Sequence, residues 1–326
     1  MDTVRWGILS TANIGMNAVT PATQAADRCD VVAIASRDGR RAEEAAARLG
    51  IARALGSYDE LLADPEIDAV YNPLPNHLHA PLTIAALEAG KHVLCEKPIA
   101  LTSAEAREMA AAAERTGRVL VEAFMYRLHP AWVTARDLVA AGRIGEILTI
   151  DAGFFFFNDD PADIRNVVEY GGGGLMDIGC YPINVARMLY GAEPDGVSAA
   201  ITRDPGMGVD VLTSAILEFG DRTATFTCGI RAAEAQWVTI VGREGRITLT
   251  SPFNPPPEGS EVQVWRDNRV PGDPPDEVLR MGRVDQYTLQ AEAFAATVLD
   301  GVPPHLSLDD SIANMEAIER IFAAAG

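Results

Sequence analysis

Lysine is nearly missing from this chain of 326 residues: among 27 basic residues only Lys91 and Lys97 are lysine. Positive charge is short overall, 27 basic against 46 acidic residues, for a net charge of −19. With no basic stripe to displace counterions from phosphates, no nucleic-acid partner is expected. Cysteine is scarce as well. Cys29, Cys95, Cys180 and Cys228 lie far apart in apolar or Gly-rich contexts with no Cys-x-x-Cys pair, so four reduced, mostly buried thiols are expected and no metal centre. No apolar run is long enough to cross a bilayer, and Met1-Asp2-Thr3-Val4-Arg5-Trp6 enters a strand without a basic and apolar leader. No membrane partner is therefore expected, and the expected compartment is the cytoplasm. What the chain does have is 48% hydrophobic residues over a length that calls for two domains.

Against that arginine background, Lys97 in Glu96-Lys97-Pro98 stands out by its position. Arginine is always charged and forks toward two acceptors, whereas lysine is a compact ammonium whose proton its surroundings can move. His92-Val93-Leu94-Cys95 reads as a short buried strand after a helix closed by Gly90, so Lys97 is expected at a strand's carboxyl end, the edge that holds ligands in doubly wound sheets. Pro98 biases Lys97 toward extended backbone. The competing reading is a structural ion pair, and for Lys91, in the turn Ala89-Gly90-Lys91, a chance survivor of an arginine-biased composition.

The amino-terminal region reads as a β-turn-α unit. Val4-Arg5-Trp6-Gly7-Ile8-Leu9 is a strand, Ser10-Thr11-Ala12-Asn13-Ile14-Gly15 a tight turn, and Met16 to Ala26 the following helix. A dinucleotide fingerprint would place glycines at Ser10, Ala12 and Gly15, so one glycine of three is present and the other two places carry small residues. The continuation Asp30-Val31-Val32-Ala33-Ile34-Ala35-Ser36-Arg37 is a second strand at βαβ distance, which makes the turn a candidate pyrophosphate site. Ser36 can donate to a 2′-phosphate and Arg37 can neutralise it while stacking on adenine, which favours NADP. A one-residue shift would make Asp38 a ribose acceptor and the cofactor NAD, and an ordinary polar loop is the plain alternative. Arg41 to Leu49 and Tyr58 to Leu62 read as helical, Ala69-Val70-Tyr71-Asn72 as a strand. Pro73-Leu74-Pro75-Asn76-His77-Leu78-His79 is a stiff loop before the helix Ala80 to Glu88. Pro73, Leu74, Asn76 and His79 are candidate cleft residues, with Asn76 and His79 toward the nicotinamide ribose or substrate, although a histidine at a helix start is as often a cap.

These segments, in this order, resemble the Gfo/Idh/MocA family of NAD(P)-dependent sugar and polyol oxidoreductases. The anchor is Glu96-Lys97-Pro98, joined by the nucleotide turn, by Glu122-Ala123-Phe124-Met125-Tyr126-Arg127-Leu128-His129-Pro130, and by Gly171-Gly172-Gly173-Gly174-Leu175-Met176-Asp177-Ile178-Gly179-Cys180-Tyr181. Together they span residues 4 to 190. Many members carry a catalytic histidine where this chain has Tyr181. That departure resembles the branch containing glucose-fructose oxidoreductase, dimeric dihydrodiol dehydrogenase and D-xylose dehydrogenase.

Past Phe124 the pattern changes. The expected organisation is a dinucleotide-binding Rossmann domain over residues 1–123, with a doubly wound parallel sheet. It is followed over residues 124–326 by an α+β substrate-binding and oligomerisation domain with an open, mainly antiparallel sheet. Ala131 to Ala141 reads as a helix. Ile147 to Phe154, Val211 to Phe219, Thr223 to Gly229, Trp237 to Gly242 and Arg246 to Thr250 read as strands. Pro252 to Pro257 and Pro271 to Pro275 read as loops, and Asp285 to Leu299 and Leu308 to Ala324 as helices. In Phe154-Phe155-Phe156-Phe157 two rings must face away from the domain's own helices. The resemblance implies that this open sheet packs on another subunit, giving a homodimer or homotetramer; the competing view is that the rings wall the substrate cleft.

Gly171 to Gly174 reads as a flexible lead into a helix from Leu175 to Tyr190, on which Asp177 and Tyr181, four apart, share a face. Hydride transfer at a nicotinamide needs a group to give or take the hydroxyl proton. A free tyrosine titrates near pKa ~10, too high for an efficient base, and a nearby ammonium stabilises its phenolate. The expected catalytic residues are therefore Tyr181 as general acid/base, Lys97 as its tuner and Asp177 to hold a sugar hydroxyl or orient the lysine. The reverse assignment, with Lys97 moving the proton, stays open. Ser10, Thr11, Ala12, Asn13, Ile14, Ser36, Arg37 and Glu96 complete the expected cofactor site. Tyr126, Arg127, Arg165 and Asn184 are candidate substrate contacts, with surface ion pairing as the other account of the arginines. The expected activity is an NADP-preferring oxidoreductase acting between a hydroxyl and a carbonyl of a sugar or related polyol. The alternatives are an NAD-linked dihydrodiol or other non-sugar dehydrogenase, and a sensor that binds NADP(H) without turnover.

Overall fold

The computed structural model describes every residue except Met1, Pro257 and residues 267–271. Pro257 and Pro271, both placed in loops by the sequence, lie outside the described residues.

Six parallel strands, β1 (Val4–Leu9), β2 (Cys29–Ala35), β3 (Arg53–Leu55), β4 (Ala69–Asn72), β5 (His92–Cys95) and β6 (Leu120–Glu122), form a sheet in the order β3-β2-β1-β4-β5-β6. This is the doubly wound order of a dinucleotide-binding fold, with the switch point between β1 and β4. The runs in β1, β4 and β5 are apolar and buried nearly throughout, as a sheet covered on both faces requires. Helices α1 (Thr20–Ala25), α2 (Gly39–Leu49), α3 (Tyr58–Ala63), α4 (His79–Glu88) and α5 (Ser103–Thr116) connect the strands. Side chains of Asp38, Ser57 and Thr102 cap the amino ends of α2, α3 and α5. The helix expected from Met16 instead opens as a π-turn over Gly15–Val19, with the Thr20 N–H donating to Gly15 O. Pro21 has no N–H to give and would crowd the carbonyl of Asn17, so the helical register widens there.

In the second sheet, β7 (Ile147–Phe157), β8 (Gly196–Arg203), β9 (Asp210–Phe219), β10 (Arg222–Gly229), β11 (Arg231–Gly242), β12 (Gly245–Leu249), β13 (Ser260–Arg266) and β14 (Glu277–Met281) run in the order β14-β13-β12-β11-β7-β10-β9-β8. All pairs are antiparallel except β7 with β10. Ile150, Ala152 and Phe154 of β7 point to a buried face, with α6 (Pro130–Ala140) against β13 and α7 (Cys180–Tyr190) against β7. On the other face, register puts Ile216, Thr225 and Asp151 side by side, and Leu212, Gly229 and Phe155. Phe155 and Phe157 are the two rings turned away from the buried face. Gly153 leaves room for the Trp237 indole, since a side chain there would collide with it. That indole stacks on Phe155 at 5.7 Å and donates to Asp151 at 2.8 Å.

Two helices, α8 (Gln286–Asp300) and α9 (Leu308–Ala324), end the chain. The chain divides into Met1–Met125 with Asp285–Met315, and Tyr126–Val284 with Glu316–Gly326. The expected boundary after residue 123 lies close to the observed one, but the assignment of all of 124–326 to one domain is corrected. Asp285–Met315 belongs with the first sheet because α8 buries Phe294 against Trp6 of β1, ring centroids 4.7 Å apart, and Arg28 pairs with Asp300 at 2.6 Å.

Candidate active site

At the carboxyl edge of the first sheet, Ser10 takes the left-handed conformation, φ 71°, that the fingerprint ordinarily gives to glycine. Its hydroxyl accepts from the Ala12 N–H at 3.2 Å and closes the turn on itself. Thr11, Ala12 and Ile14 are half-buried and Asn13 is exposed, and the helix start leaves its first amides without helical partners. The turn thus closes in a left-handed conformation without the first two glycines of the fingerprint. Beyond β2, Ser36 Oγ accepts from the Asp38 N–H at 3.3 Å, which leaves its own O–H to donate. Asp38 Oδ1 accepts from the N–H groups of Arg40 and Arg41, so this carboxylate caps α2. Arg37 is exposed. Burial pushes the Tyr58 phenol above its ordinary range, while the Arg37 guanidinium, hydrogen-bonded to it, draws it down.

Lys97 follows β5 and is half-buried, in a peptide held on both sides. Before it, the Glu96 N–H donates to Asn72 O at 3.0 Å and the Tyr71 hydroxyl donates to Glu96 Oε1 at 2.7 Å. Burial, then the Glu96 charge, pushes the Tyr71 phenol well above its usual value, so it stays a donor. After it, Pro98 O lies 2.8 Å from His79 Nδ1, and the Ile99 N–H donates to Glu122 Oε1 at 2.9 Å. His79 is fully buried, and its second nitrogen, Nε2, lies 2.7 Å from Leu74 O, so its ring ties the loop after β4 to the segment after β5. Burial lowers its pKa to about 4. Pro73 and Leu74 are buried and Asn76 half-buried in that same loop. Of these supports, Tyr71 had no sequence signal, because it lies in an apolar run where its polar end is hidden, and Glu122 entered only as the first residue of a motif, with no role attached.

In the second sheet's unit, Asp177 lies in a π-turn, Leu175–Gly179, that leads into α7, and Tyr181 is the second residue of α7. Tyr181 is 4% exposed, and its ring lies 5.0 Å from Phe253, 5.6 Å from Phe154 and 5.8 Å from Tyr126. Phe253 is held there by Gln236, whose Oε1 accepts from the Phe253 and Asn254 N–H groups at 2.9 Å, and by Trp132, whose indole donates to Pro252 O at 2.6 Å. Sequence reading missed Phe253 because it sits in a Pro-rich loop. Asp177 Oδ2 accepts from Arg165 Nε at 2.6 Å, and Asp163 stands 3.4 Å from the same guanidinium. The Asp177 charge, foremost, pushes Arg165 above its ordinary range. Arg165 is thus an ion-pair partner, not a free surface charge. Tyr126 and Asn184 are fully buried, with Asn184 Oδ1 accepting from the Tyr126 hydroxyl at 2.5 Å and from Arg127 Nε at 2.8 Å. The structure brings these three together as one knot beneath the Tyr181 ring.

Residues 4–124 match the oxidoreductase family with an NAD-binding Rossmann fold, GFO_IDH_MocA, and residues 132–248 match the GFO/IDH/MocA C-terminal domain. An oxidoreductase of Rhizobium meliloti, ORF334, is 46% identical over 100% of this chain and 98% of its own. D-xylose 1-dehydrogenase (NADP(+)) 2 of Haloferax volcanii is 39% identical over 98% of this chain and 97% of its own. Among solved structures, KijD10, a 3-ketoreductase from Actinomadura kijaniata in complex with NADP and TDP-benzene, superposes with a TM-score of 0.91 at 33% identity, over 99% of this chain and 98% of that one.

Proposed function

Given that the chain belongs to the Gfo/Idh/MocA family of NAD(P)-dependent oxidoreductases, we propose that it is an NADP-preferring enzyme interconverting a hydroxyl and a carbonyl on a sugar or related polyol. A nicotinamide held at the carboxyl edge of the first sheet would supply the hydride chemistry. The observation that carries the reading is the peptide of Lys97. One of only two lysines in the chain follows β5 at that edge, and its neighbours are fixed by Tyr71, Asn72, His79 and Glu122. A surface lysine needs no such frame.

In this reading the turn Ser10 to Ile14 holds the pyrophosphate, Pro73, Leu74, Asn76 and Glu96 line the cofactor, and Ser36 with Arg37 meets the 2′-phosphate. The capping role of Asp38 supports NADP, because the one carboxylate suited to a ribose hydroxyl is committed to a helix. Tyr181 gives or takes the substrate proton, and Lys97 is the ammonium presented at the carboxyl edge of the first sheet. Asp177, oriented by Arg165, accepts from a substrate hydroxyl, and Arg127, anchored by Asn184, is a further substrate donor. The names of the Haloferax and Actinomadura relatives, a xylose dehydrogenase and a ketoreductase, support a carbohydrate substrate and NADP. The open face of the second sheet, carrying Leu212, Ile216, Phe155 and Trp237, is the surface on which two copies associate. Free thiols at all four cysteines suit a reducing, cytoplasmic setting.

The test is NADPH oxidation and NADP reduction across pentoses, hexoses and vicinal diols, repeated with NADH and NAD. Turnover of a sugar with NADP favoured is the expected result. Tight NADPH binding with no turnover on the whole panel overturns the enzymatic reading in favour of a sensor.

A further inference from the structure

Asp210, at the start of β9, is a carboxylate 1% exposed that the proposed proton chemistry does not use. Its Oδ2 accepts from the Leu175 N–H at 2.6 Å and from the Thr213 hydroxyl at 3.1 Å. Leu175 opens the helical run that carries Asp177 and Tyr181, and that run has no cap of its own, since Gly174 stands at the capping position without a side chain. The cap comes instead from a strand 35 residues further along. A local cap stabilises a helix wherever the helix lies. A cap supplied by β9 also fixes where the helix lies on the sheet.

The glycine lead, expected to be flexible, is clamped. Gly173 has φ 113°, and a side chain there would collide with Asp210 Oδ1. The Gly173 N–H donates to Arg165 O at 2.8 Å and the Gly172 N–H to Val167 O at 3.0 Å, while the Arg165 guanidinium reaches forward to Asp177. The helix start is thus held between Asp210 on one side and the 165–167 segment on the other. A slip of one residue along a helix axis moves every side chain by ~1.5 Å. The Tyr181 phenol, packed against Phe154, Phe253 and Tyr126, has no room to recover such a shift.

From this geometry, and resting on the reading of Tyr181 given above, we infer that Asp210 is a positioning residue: by accepting the Leu175 N–H from β9 it sets the placement of Tyr181 for proton transfer. Misplacement of a reacting group by about 1 Å can cost about 100-fold in rate.

Asp210→Ala, Asp210→Asn, Gly173→Ala and Tyr181→Phe are assayed as purified full chains, with turnover normalised to NADPH-binding sites and to the folded fraction from melting curves. For Asp210→Ala, kcat per site is expected to fall about 10–100-fold, with NADPH Kd and substrate KM each within about threefold. Asp210→Asn, whose amide oxygen still accepts the Leu175 N–H, is expected to recover most of that loss, and Gly173→Ala to reproduce it with the carboxylate in place. Unchanged kcat per site in Asp210→Ala, or a loss accounted for by unfolded protein, overturns the inference, as does failure of Asp210→Asn to recover activity. Loss in Tyr181→Phe with none in Asp210→Ala overturns it alone. Wild-type turnover in Tyr181→Phe overturns it together with the reading it rests on.

Discussion

Lys97 and Lys91 show how differently two ammonium groups serve in a chain that otherwise uses arginine. The unusual setting of Lys97 was legible, because Pro98 and the preceding strand locate it at a ligand edge. Its frame of Tyr71, His79 and Glu122 was not, because those contacts join residues 19 to 25 positions apart. Lys97→Met and Tyr181→Phe should each lower kcat by about 100- to 10,000-fold, the usual worth of general acid–base catalysis, with NADPH affinity nearly intact by fluorescence titration. Wild-type rates in either variant would remove that residue from the mechanism. Arg37→Ala should weaken NADPH by about 10-fold or more while leaving NADH unchanged, since a charge-assisted bond contributes about 1.5–3 kcal/mol. An equal loss for both cofactors would count against the phosphate contact.

At the level of elements, the strongest corrections concern polar groups inside them. Lys91, expected to be incidental, is buried, and its ammonium donates to the carbonyls of Asp64 and Ile67 just past α3. Lys91→Met should cost about 1–3 kcal/mol in urea unfolding, because it strands two carbonyls in the interior. Two histidines of the first unit are held neutral. His79 and His92 are both lowered to about 4 by burial, and His92 Nδ1 accepts the Val119 N–H at 2.9 Å between β5 and β6. Each ring binds its proton in the unfolded chain near 6.5 but in the native one only near 4, so the stability they contribute is fully present above pH 6.5 and is lost as pH falls toward 4. Melting temperatures should decline between pH 6.5 and 5, and His92→Gln, which keeps an acceptor but not the titration, should flatten that decline. A slope unchanged by the substitution would remove His92 from the account.

For the whole molecule, the second sheet has a face opposite the one that buries Ile150, Ala152 and Phe154. Ile216 and Leu212 stand 43% and 41% exposed on it, among hydroxyl pairs such as Thr149 with Thr223 and Ser214 with Thr227. Two apolar side chains four residues apart on β9 of an eight-stranded sheet suit a self-complementary contact with a second copy. Ile216→Glu should shift the mass seen by light scattering toward the monomer while the chain stays folded. A monomeric wild-type chain, or an unchanged mass in the variant, would dismiss that face as the interface.

Periodicity and turn residues alone determined most strands and helices, the parallel character of the first sheet and the existence of a second, mainly antiparallel one, because those signals are local. They missed α5, whose buried face is largely alanine, the three-residue strands β3 and β6, the strand β13, and the edge strands β8 and β14, whose alternation is faint because both are half exposed. Only the tertiary structure decided that α8 returns to the first sheet, that Asp177 is paired with Arg165, and that Phe253 and Asp210 stand beside the helix of Tyr181. Each depends on packing or hydrogen bonds between residues distant in the chain, and one-dimensional spacing carries no record of such partners.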